Sequence, residues 1–367
     1  MNLAGKRILI IKQSSLGDII HTLPVAHALK RCFPGCRIGW IVQRAFADLL
    51  RQDDAVDRVY PITIPSTSDP QAGRLAYLRA FSATLATLRD LRRLFRREPY
   101  DLVLDLHASF RSGLLGMTCP RGVRIGFADA RELNPLFQDD RIAVPEDVVH
   151  AVDRNLLFCR HLGCRVESED FSLSCDRRHE ENVRRFLAQH GVSGHDLLVY
   201  ASPTARWQTK FWPARNWARL ADELYGAGVR LVFAGTDADQ EFIAAISAMM
   251  HTPPLNAAGR LDLVGAVALI RRSALYVGLD TGPMHMAAMA GRPVVAMFGP
   301  THPERVGPYG VPHCIVRAAG VECLGCRRRQ CRQLRCMEEI TVSQVLAAVQ
   351  DLLAGGPGTG EEQCVSA

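Results

Sequence analysis

Short apolar runs recur along the chain, and each is followed by a longer stretch whose apolar residues fall at helical spacing. The runs lie at 7–13, 37–42, 102–104 and 124–127, and again at 197–200, 230–234, 275–279 and 293–298. Their near-continuous apolar character predicts strands buried on both faces, as in parallel sheets covered by helices. The spacing between them predicts helices ending near Arg31 and over 74–97, 151–162, 238–250, 261–272, 282–290 and 341–353, with another starting at Pro213. Polarity rises over 165–180, where 167–170 and 176–180 hold no apolar residue. The pattern therefore predicts an α/β protein of two Rossmann-like, doubly wound domains, 1–180 and 181–354, facing across a cleft. A Gly-rich polar tail, 355–367, is expected to be disordered. Ligands are expected at the carboxyl ends of the strands.

Composition narrows the function classes. Of 367 residues, 48% are hydrophobic and 22% charged, which suits a globular enzyme and argues against disorder. The net charge of +6 is too small to require nucleic acid but suits an anionic substrate or an anionic membrane surface. No run reaches about 18 apolar residues, the length that spans a membrane. The run 8–11 is too short for a signal-peptide core, so cytoplasmic placement is expected. Seven scattered cysteines, Cys32, Cys36, Cys119, Cys159, Cys164, Cys175 and Cys314, are then expected to be mostly buried thiols, with Cys364 in the tail.

Several segments carry candidate chemistry. The first apolar run is followed by 12–18, in which Gly17 permits a tight turn and Asp18 lies close to a helix start. Pro24 suits only an early helical position, so the helix is expected to begin near His21 or Thr22, with Asp18 on the loop before it. Asp18 is either a general base or a helix cap. The dinucleotide pattern G-x-G-x-x-G is absent.

In the second half, 278–288 joins a buried strand to a helix rich in small residues. Its start at Thr281 and Gly282 offers free amides and the positive end of a helix dipole, which suits a diphosphate. Asp280 serves there as contact or N-cap, and His285 as ligand contact or core histidine. Ser202, Thr204, Arg206 and Lys210 lie in a loop that ends at Pro213; hydroxyls and cations suit phosphate oxygens, though a solvated loop fits as well. Asp237-Ala238-Asp239 is a weak D-x-D match at a helix start. Cys323, Cys326, Cys331 and Cys336 lie within fourteen residues, so they could hold a structural Zn2+ or an iron–sulfur cluster, or stay free or disulfide-paired. The interleaved Arg327, Arg328, Arg329, Arg332 and Arg335 suit nucleic acid or anionic lipid.

Taken together these residues resemble family 9 glycosyltransferases, the ADP-heptose:lipopolysaccharide heptosyltransferases, over nearly the whole chain. The marks are 14–18 with His21-Thr22-Leu23-Pro24, Lys210 before Trp212-Pro213, Asp280-Thr281-Gly282 with His285 and Ala287-Ala288, 298–301, Gly307-Pro308-Tyr309 and the 323–337 segment. Arg131-Glu132 and His150 with Arg154-Asn155 look more like the first heptosyltransferase of the inner core than the second. The resemblance implies a GT-B fold and an inverting, metal-independent transfer from ADP-L-glycero-β-D-manno-heptose to Kdo-bearing lipid A. It implies Asp18 as base, with Asp280, Thr281, Gly282 and His285 on the donor. Lys210 and nearby hydroxyls would meet the diphosphate, Leu261 would lie beside adenine, and Asp239 or Glu241 would hold the ribose. Members often have small hydroxyl residues where Ala205, Arg206 and Trp207 stand here. Arg111, Arg124, Arg131 and Arg154 are the candidates for the acceptor's anionic groups. No catalytic cofactor and no nucleic-acid partner are expected, and peripheral contact with the cytoplasmic face of the inner membrane is. The alternatives are another GT-B nucleotide-sugar transferase or epimerase, and a binding protein acting through the Cys/Arg segment.

Overall fold

The structure, a computed structural model, describes residues 3–65 and 74–355, so the expected disordered tail falls outside it apart from Gly355. The chain divides into a unit up to Asp170 and a unit from Phe171 onward. The first holds a sheet of β1 (Arg7–Ile11), β2 (Arg37–Gln43), β3 (Arg58–Ile62), β4 (Leu102–Asp105), β5 (Val123–Phe127) and β6 (Asp140–Ile142). The second holds β7 (Leu197–Ser202), β8 (Val229–Phe233), β9 (Leu255–Asn256), β10 (Leu275–Leu279), β11 (Val294–Met297) and β12 (His313–Val316). The strand orders are β3-β2-β1-β4-β5-β6 and β12-β11-β10-β7-β8-β9, parallel throughout.

Both orders are doubly wound, and each has a switch point at its centre, β1/β4 in one unit and β7/β10 in the other. The central strands are almost wholly buried, as their continuous Val, Ile and Leu content requires: β10, LYVGL, exposes nothing. Most helices cover the sheets through one apolar stripe, whereas helix Gly282–Met289 is buried on nearly every side. Helix Ala214–Gly226 buries Trp217, Leu220, Ala221 and Leu224, and Trp217 meets Trp212 edge-on at 5.2 Å. The Trp212 indole N–H donates to the Ile340 carbonyl at 2.9 Å, which satisfies its one polar atom in the core.

Two local expectations change. Helix Arg177–Gln189, not expected from the sequence, begins within the polar stretch 165–180 and runs past it; it is capped by Asp176, whose carboxylate accepts from the His179 amide, and it buries only Val183, Phe186 and Leu187. It packs on helix Leu263–Arg272 and so belongs with the second unit. Cys32 and Cys164, read as thiols, form a disulfide between the end of helix Leu23–Cys32 and the turn after helix Ala151–His161, with Cα atoms 5.8 Å apart. No helix among the described residues is long and apolar enough to cross a membrane.

Candidate active site

In the first unit the switch-point strands β1 and β4 deliver Lys12 and Asp105, one on the loop after β1 and one at the end of β4. Lys12 is buried, and its ammonium donates to the Leu106 carbonyl at 2.8 Å. Asp18 differs from the sequence expectation. A short helix, Leu16–Ile20, precedes the one at Leu23–Cys32, and Asp18 is its third residue. The Ser15 amide and hydroxyl donate to one carboxylate oxygen of Asp18, at 2.8 and 2.7 Å. The residue therefore caps its helix through one oxygen. Burial alone would raise its pKa, but the nearby Lys12 charge, the Ser15 hydrogen bonds and His21 outweigh it and hold Asp18 below the usual carboxylate range.

Behind it lies a polar knot that sequence reasoning missed. Asp105 accepts from Ser112 (2.9 Å), Asn134 (2.7 Å) and Gln138 (3.2 Å), and from the amides of His107 (3.1 Å) and Ala108 (3.0 Å). Burial nevertheless raises its pKa. Burial and the Lys12 charge push His107 down to about 4, so this ring is neutral at pH 7. Burial lowers the pKa of Lys12 itself, against the pull of Asp18 and Asp105. The only sequence signal for this knot is a lysine that ends an otherwise apolar run.

The four arginines fall into two kinds. Arg124 is engaged by the Phe137 carbonyl at 2.8 Å and by Asp139 at 2.5 Å. Arg154 forms a two-pronged pair with Asp129, at 2.8 and 2.6 Å, and lies 4.2 Å over the Phe127 ring. Arg111 and the exposed Arg131 form no ion pair among the described residues, although Asp129 lies near enough to feel the Arg131 charge.

In the second unit β7 and β10 end side by side at Ser202 and Leu279, and the loops that follow them meet. The Lys210 ammonium donates to the Asp280 carboxylate at 2.7 Å and to the Asp280 carbonyl at 2.9 Å. Both side chains are largely buried, at 15% and 8% exposure, so the pair is desolvated and fixed. His285 is buried one turn into helix Gly282–Met289, its ring nitrogen 3.9 Å from the other Asp280 oxygen. Thr281 is the N-cap residue but makes no side-chain cap, so it does not cover the first-turn amides. A second residue missed in the sequence, Tyr276, steadies this corner: its buried hydroxyl donates to the Leu279 carbonyl at 3.1 Å and lies 3.4 Å from the Thr281 hydroxyl.

The remaining donor candidates scatter by degree. Ser202 and Thr204 are buried beside this corner, and Arg206 is exposed on the same loop. Asp239 caps the turn at Thr236, accepting from its amide and hydroxyl at 2.7 Å each. Glu241 is exposed in the first turn of helix Gln240–Met249, and Leu261 is half-buried just before the N-cap Asp262.

The metal expectation is not supported. Cys323, Cys326 and Cys331 are exposed while Cys336 is buried, and burial together with the three other sulfurs pushes Cys336 up to about 11. Among the described residues no three His, Cys, Asp or Glu groups are placed to hold a metal, Asp237 and Asp239 included. The segment instead braces the loop that carries Lys210. The Thr209 hydroxyl donates to the Arg328 carbonyl at 3.0 Å, and Arg329 and Lys210 each lie 5.0 Å from the Trp207 ring centre.

The chain is similar to known proteins in family and in fold. Glycosyltransferase family 9 (heptosyltransferase) matches residues 88–336. The chain is 29% identical over 327 residues to lipopolysaccharide heptosyltransferase 1 of Escherichia coli O18:K1:H7, covering 86% of this chain and 93% of that one. It is 30% identical over 334 residues to lipopolysaccharide heptosyltransferase 1 of Pseudomonas aeruginosa, covering 89% and 87%. Among solved structures, E. coli heptosyltransferase WaaC with ADP matches at a TM-score of 0.71 and 24% identity, covering 94% of this chain and 99% of that one, which fixes the fold as GT-B. With more than half of the chain matched, the protein belongs to glycosyltransferase family 9.

Proposed function

We propose that this glycosyltransferase moves heptose from ADP-heptose to the lipopolysaccharide inner core, with inversion and without a catalytic metal. The observation that carries the proposal is Lys210 bound to both oxygen types of Asp280 beside the uncapped start of helix Gly282–Met289. A fixed ammonium and free amides at a strand's carboxyl end suit a nucleoside diphosphate. The relatives are heptosyltransferases by name, and one matched structure holds ADP.

In the proposed reaction Asp18 takes the proton of an acceptor hydroxyl. The freed oxygen attacks the anomeric carbon, and the bond from that carbon to the diphosphate oxygen breaks, releasing ADP with the bonding electrons. One base and one displacement give inversion. Lys210, the Thr281 and Gly282 amides and the helix dipole take up the charge that grows on the leaving diphosphate; one such donor is typically worth about 3 kcal/mol. The unit up to Asp170 thus supplies base and acceptor contacts, and the unit from Phe171 the donor contacts. Arg111 and Arg131, which form no ion pair among the described residues, are the first choice for the acceptor's carboxylates and phosphates.

Cytoplasmic placement with peripheral membrane contact completes the proposal. Leu78, Phe81 and Leu85 are exposed at helical spacing on helix Arg74–Arg97, and Arg89, Arg92, Arg93, Arg96 and Arg97 follow on the same helix. Exposed apolar side chains with a basic stretch suit an anionic lipid surface. The test of function is nucleotide release with a Kdo-lipid A acceptor. Release is expected from ADP-heptose and not from UDP-sugars; release from UDP-sugars alone would sink the proposal.

A further inference from the structure

A cavity in the unit from Phe171 onward, about 470 Å3, lies between helix Arg177–Gln189, helix Leu263–Arg272 and the turn at 192–194. Its residues sit just before β7, β10 and β11, at the amino ends of the parallel strands. The donor corner is at their carboxyl ends, so the two sites lie at opposite ends of one sheet.

Arg184, Arg271, Arg272 and Arg292 line this cavity, against a single carboxylate, Glu180. None of the four arginines forms an ion pair among the described residues, although the Asp196 carboxylate lies near enough to feel the Arg272 charge. Arg272 is fixed by the carbonyls of Ser193 (2.9 Å), Gly194 (3.0 Å) and Asp196 (3.1 Å), which hold the turn in place. Arg271 donates to the Leu173 carbonyl at 3.1 Å. The Arg292 Nε is buried with no acceptor. Burial, and then the neighbouring Arg271 charge, work against the charged form of Arg292. Like charges gathered at a concave, partly dry wall are unfavourable unless an anion joins them. Val183, Leu187 and Val192 are buried and supply an apolar wall.

We infer that this cavity binds a phosphate monoester whose substituent is apolar, at a site separate from the donor site. Guanidinium forks match phosphate oxygens two at a time, and a dianion balances the surplus positive charge where a single carboxylate would leave most of it. The apolar wall takes the substituent.

The probe is phenyl phosphate, titrated calorimetrically into the full chain after its nucleotide site is saturated with ADP. Saturable binding is expected, and Arg271→Gln with Arg292→Gln should weaken it at least tenfold while leaving ADP affinity unchanged. Benzyl alcohol should bind far more weakly. Binding that survives the double substitution, equals that of benzyl alcohol, or does not occur would overturn the inference. Unchanged ADP affinity in the variant shows that it is folded. Two further arms separate the sources of phosphate. Competition by free inorganic phosphate without retention on phosphatidate-containing vesicles supports a soluble phosphate ester. Retention on those vesicles, lost in the double variant and absent with phosphatidylcholine, supports a lipid headgroup.

Discussion

Asp18 and Lys12 show how one residue sets another's chemistry. Burial pulls the Asp18 carboxyl toward its neutral form, and the Lys12 charge holds it ionised. Because the folded pKa lies below the unfolded one, Asp18 contributes stability above the ordinary carboxylate range and loses it only as pH falls through the lower folded value. Removing the charge with Lys12→Met leaves burial less opposed. The acid limb of the kcat/KM profile should then move to higher pH; an unmoved limb in this variant would show that Lys12 does not tune the base. In the other unit, Lys210 and Asp280 form a desolvated pair. Lys210→Met strands a buried carboxylate and should cost roughly 3–5 kcal/mol in stability. Adding Asp280→Asn should restore much of that loss in thermal melts, yet not the affinity for ADP. A double variant no more stable than the single one would mean that the pair is not the source of the cost.

At the scale of elements, β10 shapes the proposed donor corner because it carries Gly278. A Cβ there would stand 2.3 Å from the Tyr276 hydroxyl, which folds back over the strand to reach Leu279 and Thr281. Gly278→Ala should displace that ring, cost about 1–3 kcal/mol by overpacking and weaken ADP binding; a variant with unchanged melting and affinity would contradict the account of this corner. The Cys323–Cys336 segment gives a second prediction. Since it braces the loop through Thr209 and Trp207, exhaustive chelation should leave both melting temperature and turnover intact. A fall in melting after chelation would restore the metal reading. Which elements were legible in the sequence follows the same physics. The eight strands recognised are the interior ones, apolar on both faces. The four missed, β3, β6, β9 and β12, are the sheet edges: β9 has two residues, β6 has three, and β3 carries Pro61 and the exposed Arg58. Edges need no continuous apolar run. Helix Arg177–Gln189 was missed because three buried residues suffice to dock it.

For the whole molecule, two doubly wound sheets repeat one design, each bringing its candidate site residues to where the strand order reverses. Asp280, Lys210 and His285 could be named from the sequence because a strand's end and a helix's start are local features. Lys12, Asp105, His107 and Tyr276 could not, since their roles come from burial and from partners distant in sequence, such as Asn134 and Gln138. Membrane contact is tested on the intact chain: Leu78→Ser with Phe81→Ser should reduce co-sedimentation with anionic vesicles severalfold, and undiminished co-sedimentation would remove helix Arg74–Arg97 from the proposed contact. The central claim is that one unit supplies the base and the other holds the donor. Its most direct measurement pairs the turnover of Asp18→Asn with its ADP affinity. Asn keeps an oxygen to accept from the Ser15 amide, so the cap persists. The account predicts turnover reduced by roughly 10²–10⁴ with ADP affinity unchanged. Near-normal turnover, or a loss of ADP affinity equal to the loss of rate, would contradict it.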